Sequence, residues 1–132
     1  MRGGEEAGRR RQYERRRHEQ RGRRAEAIAA WWLRLRGFRI LHRRFRTPVG
    51  EIDILARRGA LVVAVEVKAR ADAERGMEAV GTRQRQRIAR AAEHYLARQA
   101  DAPQVGLRFD IVIVSPWRLP VHVADAWRPS WP

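Results

Sequence analysis

The chain contains no cysteine. That excludes a disulfide framework and any thiolate metal or redox site, and it agrees with the reducing cytoplasm taken here as the expected location. Long hydrophobic runs are missing too. No stretch approaches the roughly 18 apolar residues of a membrane-spanning helix, and the charged N-terminus lacks the apolar segment of a secretory signal, so no membrane role is expected. The histidines (His18, His42, His94 and His122) are few and scattered without metal-ligand spacing. No Ser/His/Asp arrangement for nucleophilic catalysis stands out, and no internal repeat is visible. Lysine is almost absent as well. Of 29 basic residues every one is arginine except Lys68.

What is present in excess is positive charge. The formal net charge is +14 over 132 residues, and a surface this basic attracts polyanions, of which nucleic acid is the commonest. The length corresponds to one domain, large enough for a mixed sheet with helices and no metal or disulfide support. Residues 1–21 are dominated by Arg, Glu, Gln and Gly, which build no core; this basic tail is expected to be disordered or to extend the following helix. From 23 to 36 the three-to-four spacing of Ala25, Ile28, Ala29, Trp32 and Leu35 predicts a helix stopped by Gly37. Glu26 projects beside that stripe. Strands are expected at 38–44, 51–56, 61–68 and 107–114, with a short edge strand within 119–126. A second helix is expected at about 82–98, a loop at 70–82, and loose ends after 127. Trp31 and Trp32 fit core or interface better than base stacking. This order gives an α/β fold around one central mixed β-sheet flanked by helices.

Within this plan the stretch GEIDILARRGALVVAVEVKAR, residues 50–70, puts charge inside strand sequence. A two-residue Gly59-Ala60 loop fits a type II′ turn, which wants glycine first. Counting outward, Ile54 faces Val65, Asp53 faces Glu66, Ile52 faces Val67 and Glu51 faces Lys68. The aliphatic side chains then fall on one side and the charges on the other. Directly opposed carboxylates repel; they share a proton or bind a cation. A hard divalent ion such as Mg²⁺ (or Mn²⁺) takes one or two carboxylates, which Asp53 and Glu66 supply. Lys68, a compact point charge that arginine does not mimic, then sits near a water or a phosphate. A cross-strand Glu51–Lys68 salt bridge is the competing reading. Arg43, Arg44, Arg46 and Arg70 flank the charged face and suit backbone phosphates.

These residues, with the flanking GRRAEAIAAWWLRLRGFRIL and RIARAAEHYL…RFDIVIV, resemble the bacterial YraN-like (UPF0102) family over residues 22–127. Asp53 and Glu66-Val67-Lys68 resemble its PD-(D/E)xK signature. The resemblance implies a restriction-endonuclease-like fold and a metal-dependent DNA nuclease akin to archaeal Holliday-junction resolvases, with homodimers by analogy. It further implies Asp53, Glu66 and the Val67 carbonyl as metal ligands, Lys68 as the residue activating water, Glu26 approaching the same site, and Glu51 as the family's GEID glutamate. Two departures are Ala25 in place of a common glycine and RQRQRI in place of a common lysine, for which Arg83, Arg85 or Arg87 would substitute. The alternative is a nucleic-acid-binding protein that keeps the fold without the catalysis, and a third class is a basic interaction module.

Overall fold

A computed structural model describes residues 2–70 and 81–129, without the side chains of Arg2 and residues 13–21. Most of the expected 70–82 loop and the chain end at 130–132 lie outside the described residues. In chain order the elements are α1 (Arg2–Leu35), β1 (Arg39–Thr47), β2 (Gly50–Arg58), β3 (Leu61–Ala69), α2 (Thr82–Leu96), a 3₁₀ turn (Ala102–Gln104), β4 (Gly106–Val114) and β5 (Val121–Trp127). The sheet runs β1-β2-β3-β4-β5, antiparallel except where β3 meets β4 in parallel. One face packs against α1 through Ala29, Ala30, Leu33, Val63, Val65 and Val112. The other packs against α2 through Leu55, Val62, Ala64, Ile88, Ala92 and Ile111. This is the expected α/β arrangement of a mixed sheet between helices, as in restriction-endonuclease-like folds.

The helix α1 begins at Arg2, so the basic segment continues the helix instead of forming a disordered tail. Arg, Glu and Gln are good helix formers, and Glu5–Arg9 and Glu6–Arg10 have the i,i+4 order that supports one. Its end is a Schellman motif. Phe38 N–H donates to Leu33 O and Gly37 N–H to Arg34 O, both at 3.0 Å, with Gly37 at φ 89° and Phe38 packed in the same cluster as Leu33. The buried face is not the expected stripe. Ala25, Glu26, Ala29, Ala30 and Leu33 are buried, while Ile28, Trp31 and Leu35 are exposed. The small alanines let the helix lie close to the sheet, and the larger apolar residues are rotated out.

The β2–β3 hairpin keeps the expected register from Arg58↔Leu61 to Ile54↔Val65. Gly59 takes φ 61°, as the first position of a type II′ turn requires. Two expectations fail beyond it. The ladder ends at Ile54↔Val65, so Asp53 and Glu66 are not a ladder pair. The charges also do not share a face free of aliphatic packing: Leu55, Val62 and Ala64 are fully buried under α2, and Ile52 joins them. The cause of the Ile52 switch lies in β1. Arg44 adopts φ 55° between the pairs Arg43↔Ile54 and Phe45↔Ile52, turning this end of the ribbon so that Phe45 and Ile52 face α2. β1 itself ends three residues later than expected, and the turn narrows to Pro48-Val49, closed by Gly50 N–H donating to Thr47 Oγ1 at 3.0 Å.

At the other sheet edge, β5 is held by a buried acid. Asp110 accepts both Arg108 Nε–H and Nη2–H at 2.8 Å, His122 Nε2 at 2.7 Å and Asp125 N–H at 3.0 Å. Burial alone would raise its pKa, but these bonds outweigh burial and hold the carboxyl at about 2. Trp127, expected in a loose end, instead closes β5 and stacks on Phe109 at 4.3 Å between ring centroids.

Two measurements follow. Gly50 lies against the α2 backbone, where an added Cβ would collide with the Arg87 carbonyl; Gly50→Ala should lower stability by about 1–3 kcal/mol in denaturant titration. Asp110 has a depressed folded-state pKa, so its contribution is present above the unfolded value near 4 and lost as pH falls through about 2. Wild type should therefore exceed Asp110→Asn in thermal stability most clearly above about pH 4, and the gap should shrink toward pH 2.

Candidate active site

The site forms where β2 leaves β3. Past Ile54↔Val65, the Asp53 carboxylate takes over from the ladder: Val67 N–H donates to Asp53 Oδ2 at 2.9 Å. Val67 thus meets Asp53 through its amide. On β3, alternation turns Glu66 and Lys68 to the α2 side with Ala64. Both are buried, and Lys68 Nζ lies 3.1 Å from Glu66 Oε1. The same oxygen accepts Gln84 Nε2–H at 2.7 Å, from the first turns of α2. Gln84 is absent from the sequence reading. One polar residue in the run RQRQRI has no signal apart from its i,i+4 relation to buried Ile88, and that relation becomes informative only once the helix is docked.

Glu26 reaches the site from α1 and is buried. Its Oε2 accepts Arg44 Nε–H at 2.9 Å. Arg44, expected at a phosphate, is therefore committed to a carboxylate, and its pKa is raised chiefly by that bond. Glu51 does not pair with Lys68. It lies 3.5 Å from Arg46, with both side chains largely exposed, so the competing salt-bridge reading is not realised.

The electrostatics single out Asp53. Its pKa is pushed up to about 7, first by burial and then by the Glu66 carboxylate, with a smaller push from Glu26. The Val67 N–H and Lys68 act in the opposite direction and do not prevail. Such a carboxyl is unfavourable as an anion unless a cation joins it.

A cleft of about 570 Å³ opens over these groups, lined by Glu51, Asp53 and Glu66 from the sheet and by Arg83, Gln84 and Arg87 from α2. Arg83 and Arg87 are one helical turn apart and face the cleft together. Arg85 does not line it; its guanidinium lies over the Trp127 ring, 5.6 Å from the centroid. Helix periodicity separates it from its two neighbours. Arg43 is exposed on β1, and Arg70 lines a different groove.

The donor set suits a hard divalent cation. Asp53 and Glu66 are oxygen donors in one cleft, and ions such as Mg²⁺ use one or two carboxylates and fill the remaining positions with water, carbonyl or phosphate oxygens. Among the described residues no group of three or more His, Asp or Glu converges on a common point, which does not fit a closed structural zinc site. No described helix is long and apolar enough to cross a membrane.

The raised Asp53 pKa has a measurable consequence. Folding raises this pKa above its unfolded value near 4, so the folded state binds the extra proton and the group costs stability as pH rises from about 4 to about 7. In metal-free buffer Asp53→Asn should melt higher than wild type at pH 8, by several degrees, with the gap closing toward pH 4. A gap that does not change with pH would mean that the carboxyl is not destabilised by its surroundings.

The span of chain that carries this site matches known proteins. The profile of a family described as "Uncharacterised protein family UPF0102" matches residues 25–114, from the buried face of α1 to the end of β4. A UPF0102 protein of Paramagnetospirillum magneticum is 49% identical over 114 residues, covering 83% of this chain and 88% of the relative. Another, from Mesorhizobium japonicum, is 55% identical over 107 residues, covering 81% and 86%. A third, from Bartonella tribocorum, is 52% identical over 103 residues, covering 78% and 79%. The match takes in both helices and the strands that carry Asp53, Glu66 and Lys68, and on that ground the chain belongs to the UPF0102 family.

Proposed function

We propose that this protein is a metal-dependent endonuclease that hydrolyses DNA phosphodiester bonds. The observation that carries the reading is the pair Asp53 and Glu66 lining one cleft, with the Lys68 ammonium 3.1 Å from Glu66 Oε1 and with burial and Glu66 both disfavouring Asp53 as a lone anion. In this reading Asp53, Glu66 and the Val67 carbonyl hold Mg²⁺ or Mn²⁺. When bound, the cation supplies Lewis-acid polarisation of the phosphoryl oxygen and lowers the pKa of a water.

The chain's own groups do the rest. The Lys68 ammonium, steadied by Glu66, stabilises negative charge as it develops on the phosphoryl group and orients the attacking water. Gln84 holds Glu66 Oε1 from the opposite wall and so fixes the carboxylate's rotation. Arg44 holds Glu26 beside the site. Arg83 and Arg87, with the exposed Arg43 and Arg46, bind neighbouring phosphates without reading bases. The α2 helix also begins at this cleft without a side-chain cap at Gly81, leaving first-turn N–H groups for an anion.

A second reading, a nucleic-acid-binding protein without catalysis, draws on one observation. Glu26 is engaged by Arg44, so the site's third carboxylate is already neutralised.

Cleavage of linear, nicked, flapped and four-way DNA with Mg²⁺ or Mn²⁺ separates the two. Wild type should cut, Asp53→Ala should lose at least about 100-fold, and Lys68→Arg about 10- to 100-fold. Cutting that survives Asp53→Ala would sink the proposed site. Binding without cutting on every substrate would favour the second reading.

A further inference from the structure

A second groove, of about 910 Å³, opens where β3 and β4 end side by side. The parallel register pairs Lys68 with Ile113 and Ala69 with Val114, and Arg70 N–H then donates to Val114 O at 3.0 Å. The groove therefore begins at Ala69, one residue beyond Lys68. Carboxyl ends of parallel strands are where α/β sheets generally receive ligands.

The lining combines three cations with an unused aromatic face. Arg24 comes from α1, Arg70 follows β3 and Arg118 follows β4, and among the described residues that line the groove none is Asp or Glu. Trp117 is 102% exposed and takes φ 60°, a left-handed conformation that a bulky residue adopts at a cost of about 1 kcal/mol or more. Among the described residues nothing covers the exposed indole. Ile28 and Leu119, both exposed, form the apolar part of the same surface.

We infer that this groove binds a single-stranded DNA segment, with one unpaired base stacked on Trp117 and its phosphates on Arg24, Arg70 and Arg118. The inference rests on the proposed phosphodiester chemistry, because it takes the segment to be part of the same DNA, held at the sheet's end just beyond Lys68. A flat indole beside a cationic track is how proteins hold unpaired bases. Bases inside a duplex have both faces covered by their neighbours, so this platform selects an unpaired one. A second copy of the chain fits less well, since a two-fold contact would bring both sets of three arginines together. The substrate class becomes DNA with an unpaired strand next to the scissile phosphate, such as a flap or an opened branch.

The test is anisotropy titration of labelled oligo(dT) with the full chain in EDTA, where no cutting can occur. Trp117→Ala should weaken binding roughly 10-fold and Trp117→Phe by less than about three-fold. Arg118→Ala should weaken it and flatten its salt dependence. Blunt duplex should bind wild type and Trp117→Ala alike. Oligo(dT) affinity unchanged in Trp117→Ala would overturn the inference, as would an equal loss on blunt duplex. So would tighter binding of oligo(rU), Trp117-dependent binding to anionic vesicles without oligo(dT) binding, or a Trp117-dependent dimer in sedimentation with DNA binding intact. Because every readout is metal-free, Trp117-dependent binding by a protein that never cuts would remove the catalytic reading alone. Cutting by a protein whose strand binding ignores Trp117 would remove the groove alone.

Discussion

Asp53 and Glu66 meet in the cleft where β2 and β3 part, with Glu26 near enough to push Asp53's pKa up, and the bonded cations of this group among the described residues are two, Arg44 on Glu26 and Lys68 on Glu66. That imbalance governs much of the surrounding structure. Arg44 reaches Glu26 from a strained backbone that also turns the ribbon. Lys68 and Gln84 share a single oxygen of Glu66, so a neutral donor does work a third cation could have done. Asp53 is left with a backbone N–H as its bonded partner, which lowers its proton affinity by less than burial and the Glu66 carboxylate raise it. Replacing these groups with apolar residues would make a quieter core. Their retention in the middle of a sheet is a statement about chemistry.

Both helices are shaped by the same requirement. Each offers the sheet an alanine-rich face, Ala25, Ala29 and Ala30 on α1 and Ala89, Ala91 and Ala92 on α2. Small residues bring the helix axes near the strands, and only then can side chains as short as Glu26 and Gln84 reach the site. The cost is visible on the outside of α1, where Ile28, Trp31 and Leu35 stay in solvent. Hydrophobic content is thus not what orients α1; close approach is.

The legible and illegible parts of the sequence divide along these lines. The hairpin is legible because alternation and Gly59-Ala60 agree on one register, and the helix stop is legible because Gly37 supplies the positive φ. The end of the ladder is not, since no residue pattern distinguishes a paired Asp53 from one whose carboxylate replaces a ladder bond. The buried face of α1 is misread because large apolar residues outweigh alanine in any periodicity count. Asp53, Glu66 and Lys68 could be named from strand spacing, whereas Glu26 on α1 is reached only through the family resemblance. Gln84 and the opposed fates of Arg83, Arg85 and Arg87 depend on how α2 docks, which a local pattern does not encode.

That docking has one fixed point, the contact of Gly50 with the main chain of Arg87. Elsewhere the separation of helix and sheet is set by side chains, and it drifts whenever a core residue changes size. Here backbone rests on backbone, like a machined stop. The aliphatic residues between α2 and the sheet can therefore be exchanged over evolutionary time while the span from α2 to Glu66 stays the same. The width of the cleft is insulated from the composition of the core beneath it.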